Sequence, residues 1–239
     1  MSLSQIKDQL IYYTYRFDFP SGRQKIFNIY LDPVSLSVMR VQSAKHPEWA
    51  KLNTFKCPNC PLESASHRYC PLALNLVDIV DFFKNTNSFD RVEITVETKD
   101  RSFTKKTDVQ GGLSSIMGIL MAASGCPILG KLKSMVRFHL PFATIDETEV
   151  RTISIYLLSQ YVQWKKGLEP DWTLEKLKKI YAEIEKVNLN IASKLSELEK
   201  QDANVNSVVI LNNFAAAVNI YLDDMNIRKI ESFIKEFIT

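Results

Sequence analysis

Three cysteines and a histidine fall within 14 residues, Cys57, Cys60, His67 and Cys70, in the order C-x2-C-x6-H-x2-C. No other feature constrains the chain as strongly, because groups so close in sequence converge on one point only where the segment between them folds back tightly. A C-x2-C turn aims both sulfurs to the same side, and a donor set of three cysteines and one histidine completes a tetrahedral zinc shell with no position left for substrate. Such a zinc is structural rather than catalytic. The six-residue gap is shorter than the roughly 12 or more residues of familiar zinc-finger spacings, and the small or polar Glu63, Ser64, Ala65 and Ser66 are what would let it close. Pro58 stiffens the first turn, and Cys70 precedes Pro71 at the start of an expected helix, where the helix dipole favours a thiolate.

Other readings of the same residues stay open. Iron–sulfur clusters take four cysteines as a rule, and Cys126 in the turn Gly125-Cys126-Pro127 supplies a fourth thiol, with His67 then a bystander. His139 is an alternate ligand that would replace His67 or join Cys126. Cys57 and Cys60 would alternatively form a redox pair, or the cysteines would pack as small hydrophobes. The leading expectation is a non-enzymatic binding or regulatory protein with a structural zinc. The alternatives are a thiol-redox or iron–sulfur protein using Cys57, Cys60, Cys70 and Cys126, and an anion or small-ligand sensor. The sensor would use Gly111, Gly112 and Arg137, since free N–H groups at a strand-to-helix turn attract anions. Against it, Gly111-Gly112 lacks the lysine of a P-loop and the third glycine of a dinucleotide fingerprint. No nucleophile elbow, zinc-protease motif or Walker motif is present.

The rest of the chain reads as α+β. Apolar residues make up 46% of its 239 residues and charged ones 24%, a balance that builds a core and does not describe a disordered chain. Residues Ile11–Phe19 alternate aromatic and polar side chains, Pro20-Ser21-Gly22 turns, and Ile26–Leu31 returns; Leu36, Val38 and Val41 offer a weaker third strand. A helix is expected from Pro71 with Leu72, Leu76, Ile79, Val80 and Phe83 on one face. A hairpin over Val92–Thr107 follows, then a helix over Leu113–Ala123, apolar nearly all round and therefore buried. From Asp146 the chain is helical, with Val150, Ile153, Leu157, Tyr161 and Trp164 as the expected inner face. The expected organisation is an antiparallel β meander with the Cys/His turn and a buried helix over 1–145, and an all-helical bundle over 146–239.

Within that bundle, Leu174, Leu177, Tyr181, Ile184, Asn188, Ile191, Leu195 and Leu198 step by three and four along residues 173–200, a heptad seam with one polar member. The seam has two candidate partners: the apolar segment Val208–Leu222 as a helical hairpin, favoured by the short polar break between them, or a second copy of the chain. A net charge of +3 gives no basic stripe for nucleic acid. The longest apolar run, Ile116–Ala123, is far below the roughly 20 residues of a membrane span, so no membrane association and a cytoplasmic location are expected, a compartment that keeps thiols reduced.

The runs Cys57-Pro-Asn-Cys-Pro-Leu, His67-Arg-Tyr-Cys-Pro-Leu-Ala-Leu-Asn-Leu, Ser124-Gly-Cys-Pro and Arg137-Phe-His-Leu-Pro resemble a bacterial family of unknown function over most of the chain. The resemblance implies a cytosolic bacterial protein in which the Cys/His segment is a shared feature. It carries no activity with it.

Overall fold

A computed structural model describes residues 10–39, 46–223 and 227–238. Alternating aromatics make β1 (Ile11–Asp18), and the turn at Phe19–Arg23 folds it back into β2 (Gln24–Leu31). A second hairpin joins β3 (Arg91–Glu97) to β4 (Ser102–Asp108). The four strands form one antiparallel sheet in the order β2-β1-β3-β4, with Phe17 opposite Ile94 where the two hairpins meet. Of the weak third strand, Val38 makes a single bridge to Leu31, and Leu36 takes a positive φ of 54° that no strand accommodates. Val41 lies outside the described residues.

One face of the sheet is buried. Tyr13, Tyr15 and Phe17 of β1 and Val92, Ile94 and Val96 of β3 point to the side where the helices lie. After the short α1 (Leu52–Phe55), α2 (Pro71–Phe83) starts with Pro71 in its first turn and buries the expected face, Leu72 to Phe83. Beyond β4, α3 (Val109–Ala122) is buried nearly all round. Gly112 is what lets it approach the sheet: a Cβ there would overlap Ile94 Cδ1 and press on Phe17. Two short pieces follow, a 3-10 turn at Leu129–Leu132 and α4 (Lys133–Arg137).

The last third is helical. Thr144 and Glu147 close a capping box on α5 (Ile145–Lys165), satisfying two N–H groups that helix geometry leaves open. The seam residues Leu174 to Leu195 of α6 (Glu175–Ser196) are buried, and they pack on α7 (Ala203–Asp223), so the hairpin is intramolecular. The terminal α8 (Ile227–Ile234) follows. By length and composition α7 is the one described helix that could span a bilayer; it lies against α6 and α3, with Val208, Ala215 and Val218 buried. The buried apolar side chains form one cluster running from Tyr13 on the sheet to Val218 on α7.

The expected inner face of α5 is corrected. Ile153 is buried and Leu157 packs against the core as expected, but Val150, Tyr161 and Trp164 are exposed, and the other buried positions are Glu149, Thr152 and Gln160. A polar network pulls that side of the helix inward: the Tyr156 hydroxyl donates to Asp171 Oδ2 at 2.8 Å, Gln160 Oε1 accepts from the Asp171 amide at 2.9 Å, and Thr152 bonds the Tyr181 hydroxyl at 2.9 Å. Buried polar groups are held by such partners, and here they outweigh the apolar stripe.

Candidate metal centre and a second cavity

The Cys-containing loop is closed at its base by main-chain hydrogen bonds. Leu52 N donates to Arg68 O, Cys70 N donates to Ala50 O, and Lys51 bridges Tyr69. Cys60 N turns back to Cys57 O at 3.0 Å, the hydrogen bond of a tight C-x2-C turn. This turn docks on α6: Asn59 donates to the backbone oxygen and the carboxylate of Glu183, and Asn190 donates to Cys57 Sγ at 3.3 Å.

Four thiols meet there. Cys57, Cys60, Cys70 and Cys126 line one cavity of about 20 Å³, whose remaining wall is Phe55, Leu62, Pro71, Leu72, Ile128, Val187 and Ile191. Cys126 arrives from the far end of α3. Gly125, at a φ of 92° that favours glycine, turns the chain close to Pro71 at the start of α2, where Cys126 follows. All four thiols are free.

The apolar wall suppresses ionisation. Burial pushes the Cys57 thiol up to about 12 and the Cys70 thiol up to about 11, and raises Cys126 as well. Backbone N–H groups work the other way: Leu72 and Ala73 at the start of α2 point at Cys70, and Ile128 and Leu129 point at Cys126. Amides aimed at sulfur stabilise a thiolate once something replaces the proton. Burial thus favours the protonated form of Cys57, Cys70 and Cys126, the poorer nucleophile.

Among the described residues, no three His, Cys, Asp or Glu groups stand close enough to share a single metal ion. Zinc bonds sulfur at about 2.3 Å, which sets neighbouring sulfurs of a tetrahedral shell roughly 3.8 Å apart. The four cysteines share the lining of one small cavity whose other walls are apolar.

His67 does not join them. The turn Glu63–His67, with Ser66 N and His67 N both donating to Glu63 O, carries the ring outward, where it is exposed and its Nδ1 meets Ser66 Oγ at 3.0 Å. His139 is not among the residues around the thiols either; it is in hydrogen-bond contact with Tyr15. The Gly111-Gly112 turn is occupied by its own chain: Asp108 caps α3 by accepting from Gly111 N at 2.9 Å, and Arg137 donates to Pro33 O at 2.9 Å. Asp108 thus occupies the amide that an anion would need.

A larger cavity of about 290 Å³ lies between α3, α4, α5, α6 and α7. At its sheet end the Tyr15 hydroxyl bonds both Ser115 Oγ at 2.9 Å and His139 Nε2 at 2.7 Å. Burial and the nearby Arg151 charge push His139 down to about 3, so it stays a neutral imidazole. With no carboxylate among its hydrogen-bond partners it lacks the basicity to activate Ser115.

A profile described as a domain of unknown function, DUF6901, matches residues 13–235. The chain belongs to this family. No curated protein and no solved structure matches it. Within this DUF6901 chain the relation of Cys126 to the other thiols has a local signature that the spacing argument passed over: Cys57, Cys60, Cys70 and Cys126 each precede a proline, Pro58, Pro61, Pro71 and Pro127. A residue before proline is biased towards extended backbone, and Cys70 adopts it at φ -70° and ψ 118°.

Proposed function

We propose that this is a non-enzymatic iron–sulfur protein, its cluster held by Cys57, Cys60, Cys70 and Cys126. The observation that carries the reading is the gathering of these four Cys-Pro thiols, with no histidine, along one small apolar cavity. An all-thiol donor set, amides aimed at Cys70 and Cys126 and an apolar wall are the surroundings that iron–sulfur clusters use to tune charge and potential. With each thiol taken up as a ligand, the protein keeps no thiol for substrate chemistry at the centre. The role this leaves is electron storage or sensing, together with stapling the Cys loop to α2 and to the end of α3. Four free thiols of this kind suit a reducing cytoplasm.

Protein purified without oxygen and without chelator decides the matter. Brown colour, visible absorbance, and iron with acid-labile sulfide in stoichiometric amounts are expected. One zinc per chain without sulfide would replace the cluster by a four-thiolate zinc staple, and no metal at all would end the reading.

A further inference from the structure

The cavity between α3, α4, α5, α6 and α7 has no part in the metal centre, and its lining has an asymmetric chemistry. Its body is apolar, with Ile119, Leu132, Met135 and Phe214 among the walls. Two cations, Lys105 and Arg151, border it, and no Asp or Glu among the described residues does. Arg151 donates through one nitrogen to the carbonyls of Phe138 at 2.6 Å and Met135 at 3.3 Å, and among the described residues no carboxylate accepts from it. A guanidinium has five N–H donors, so most of its capacity is unspent.

Asn188 supplies the second, independent observation. It is only 3% exposed and it lines the cavity. The hydroxyl of its neighbour Tyr181 is engaged by Thr152. A side-chain amide on the wall of a largely apolar cavity offers a donor and an acceptor to whatever fills it. The volume is that of about ten liquid waters at roughly 30 Å³ each, and ligand sites of about this size are mainly apolar with a few convergent polar groups.

We propose that this cavity binds a small monocarboxylate with an apolar body of about ten non-hydrogen atoms. Arg151 and Lys105 draw the carboxylate, Asn188 takes up one of its oxygens or the adjoining polar group, and the chain or ring lies among Ile119, Leu132 and Phe214. The anion completes the capacity of Arg151 that the two carbonyls leave open.

Octanoate is the probe, 1-octanol the neutral control of similar length, and the full chain with its metal content unchanged the sample. Calorimetric titration is expected to give octanoate a Kd at least tenfold below that of octanol. Octanoate at a hundredfold excess over its Kd should raise Tm by about 5 °C or more. Asn188→Leu, which removes the amide from the cavity wall without touching the Arg151 contacts, should stay folded and lose at least tenfold in octanoate affinity. Arg151→Gln should lose more, but it also frees two carbonyls, so the leucine variant is the deciding one. Equal affinity for acid and alcohol, no binding of either, or unchanged octanoate binding by folded Asn188→Leu would overturn the proposal.

Discussion

Replacing Cys126 with alanine removes the one thiol that comes from outside the Cys57–Cys70 loop. A filled centre ties Cys126 to Cys70 across about 56 residues of intervening chain, and the loop-closure relation used for disulfides assigns such a cross-link about 4 kcal/mol at 25 °C. For a chain of this size each kcal/mol moves Tm by roughly 2–4 °C, so Cys126→Ala should lower the Tm of metal-loaded protein by about 8–16 °C. Loss of the buried sulfur's packing alone costs far less, about 1 kcal/mol on the scale of a deleted methylene. The assay is anaerobic thermal unfolding of wild type and variant, each loaded and chelator-stripped, with iron counted in every sample. The penalty of Cys126→Ala should shrink to its packing part in stripped protein, since the cross-link is then absent from both chains. His67→Ala is the control and should keep both iron and Tm. An equal Cys126→Ala penalty in loaded and stripped protein, or loss of metal on His67→Ala, would refute the reasoning.

Other consequences are tested by titration and by packing. Because His139 is held near 3 against an ordinary 6.5, its contribution is fully present above about 6.5 and is lost as pH falls towards 3. Denaturant unfolding at pH 5 against pH 7 should show about 2 kcal/mol of destabilisation that His139→Gln no longer shows; an identical pH slope in the variant would contradict it. The raised thiols act in the opposite sense: metal-free protein keeps their contribution below about 9 and loses it as pH rises towards 12, so alkaline unfolding of the stripped chain should come earlier than that of a Cys57→Ala/Cys70→Ala variant. Gly112→Ala should destabilise by about 1–3 kcal/mol through overlap with Ile94 Cδ1, and Ile94→Val, which deletes that atom, should recover most of the loss in a double-mutant cycle.

What could be read from the sequence was what neighbouring residues decide together. The alternation in β1 and β3, the proline start of α2 and the three-four seam of α6 are local patterns, and each emerged as expected because burial on one side fixes a period. On α5 only Ile153 and Leu157 of the expected face turn inward, because the orientation is also set by Tyr156, Gln160 and Asp171, a polar network that closes only when the chain returns after Gly167. The thiol set followed the same rule. The C-x2-C turn was visible, whereas His67 and Cys126 compete for a place that turns on where Glu63 points one chain segment and Gly125 the other. Ser115, His139, Arg151 and Asn188 come from four separate stretches of the chain, and no spacing could have announced their common cavity.

The helix α6 carries more than its seam. On one flank Asn190, Val187 and Ile191 reach the thiols, and on another Tyr181, Ile184 and Asn188 reach the larger cavity. A rigid rod shared by two pockets acts as a lever between them: if filling one shifts it, the affinity of the other changes, and thermodynamics requires the same factor in the reverse direction. Were both sites filled as proposed, α6 would give the thiol centre and the larger cavity a shared support through which occupancy of one could be felt at the other.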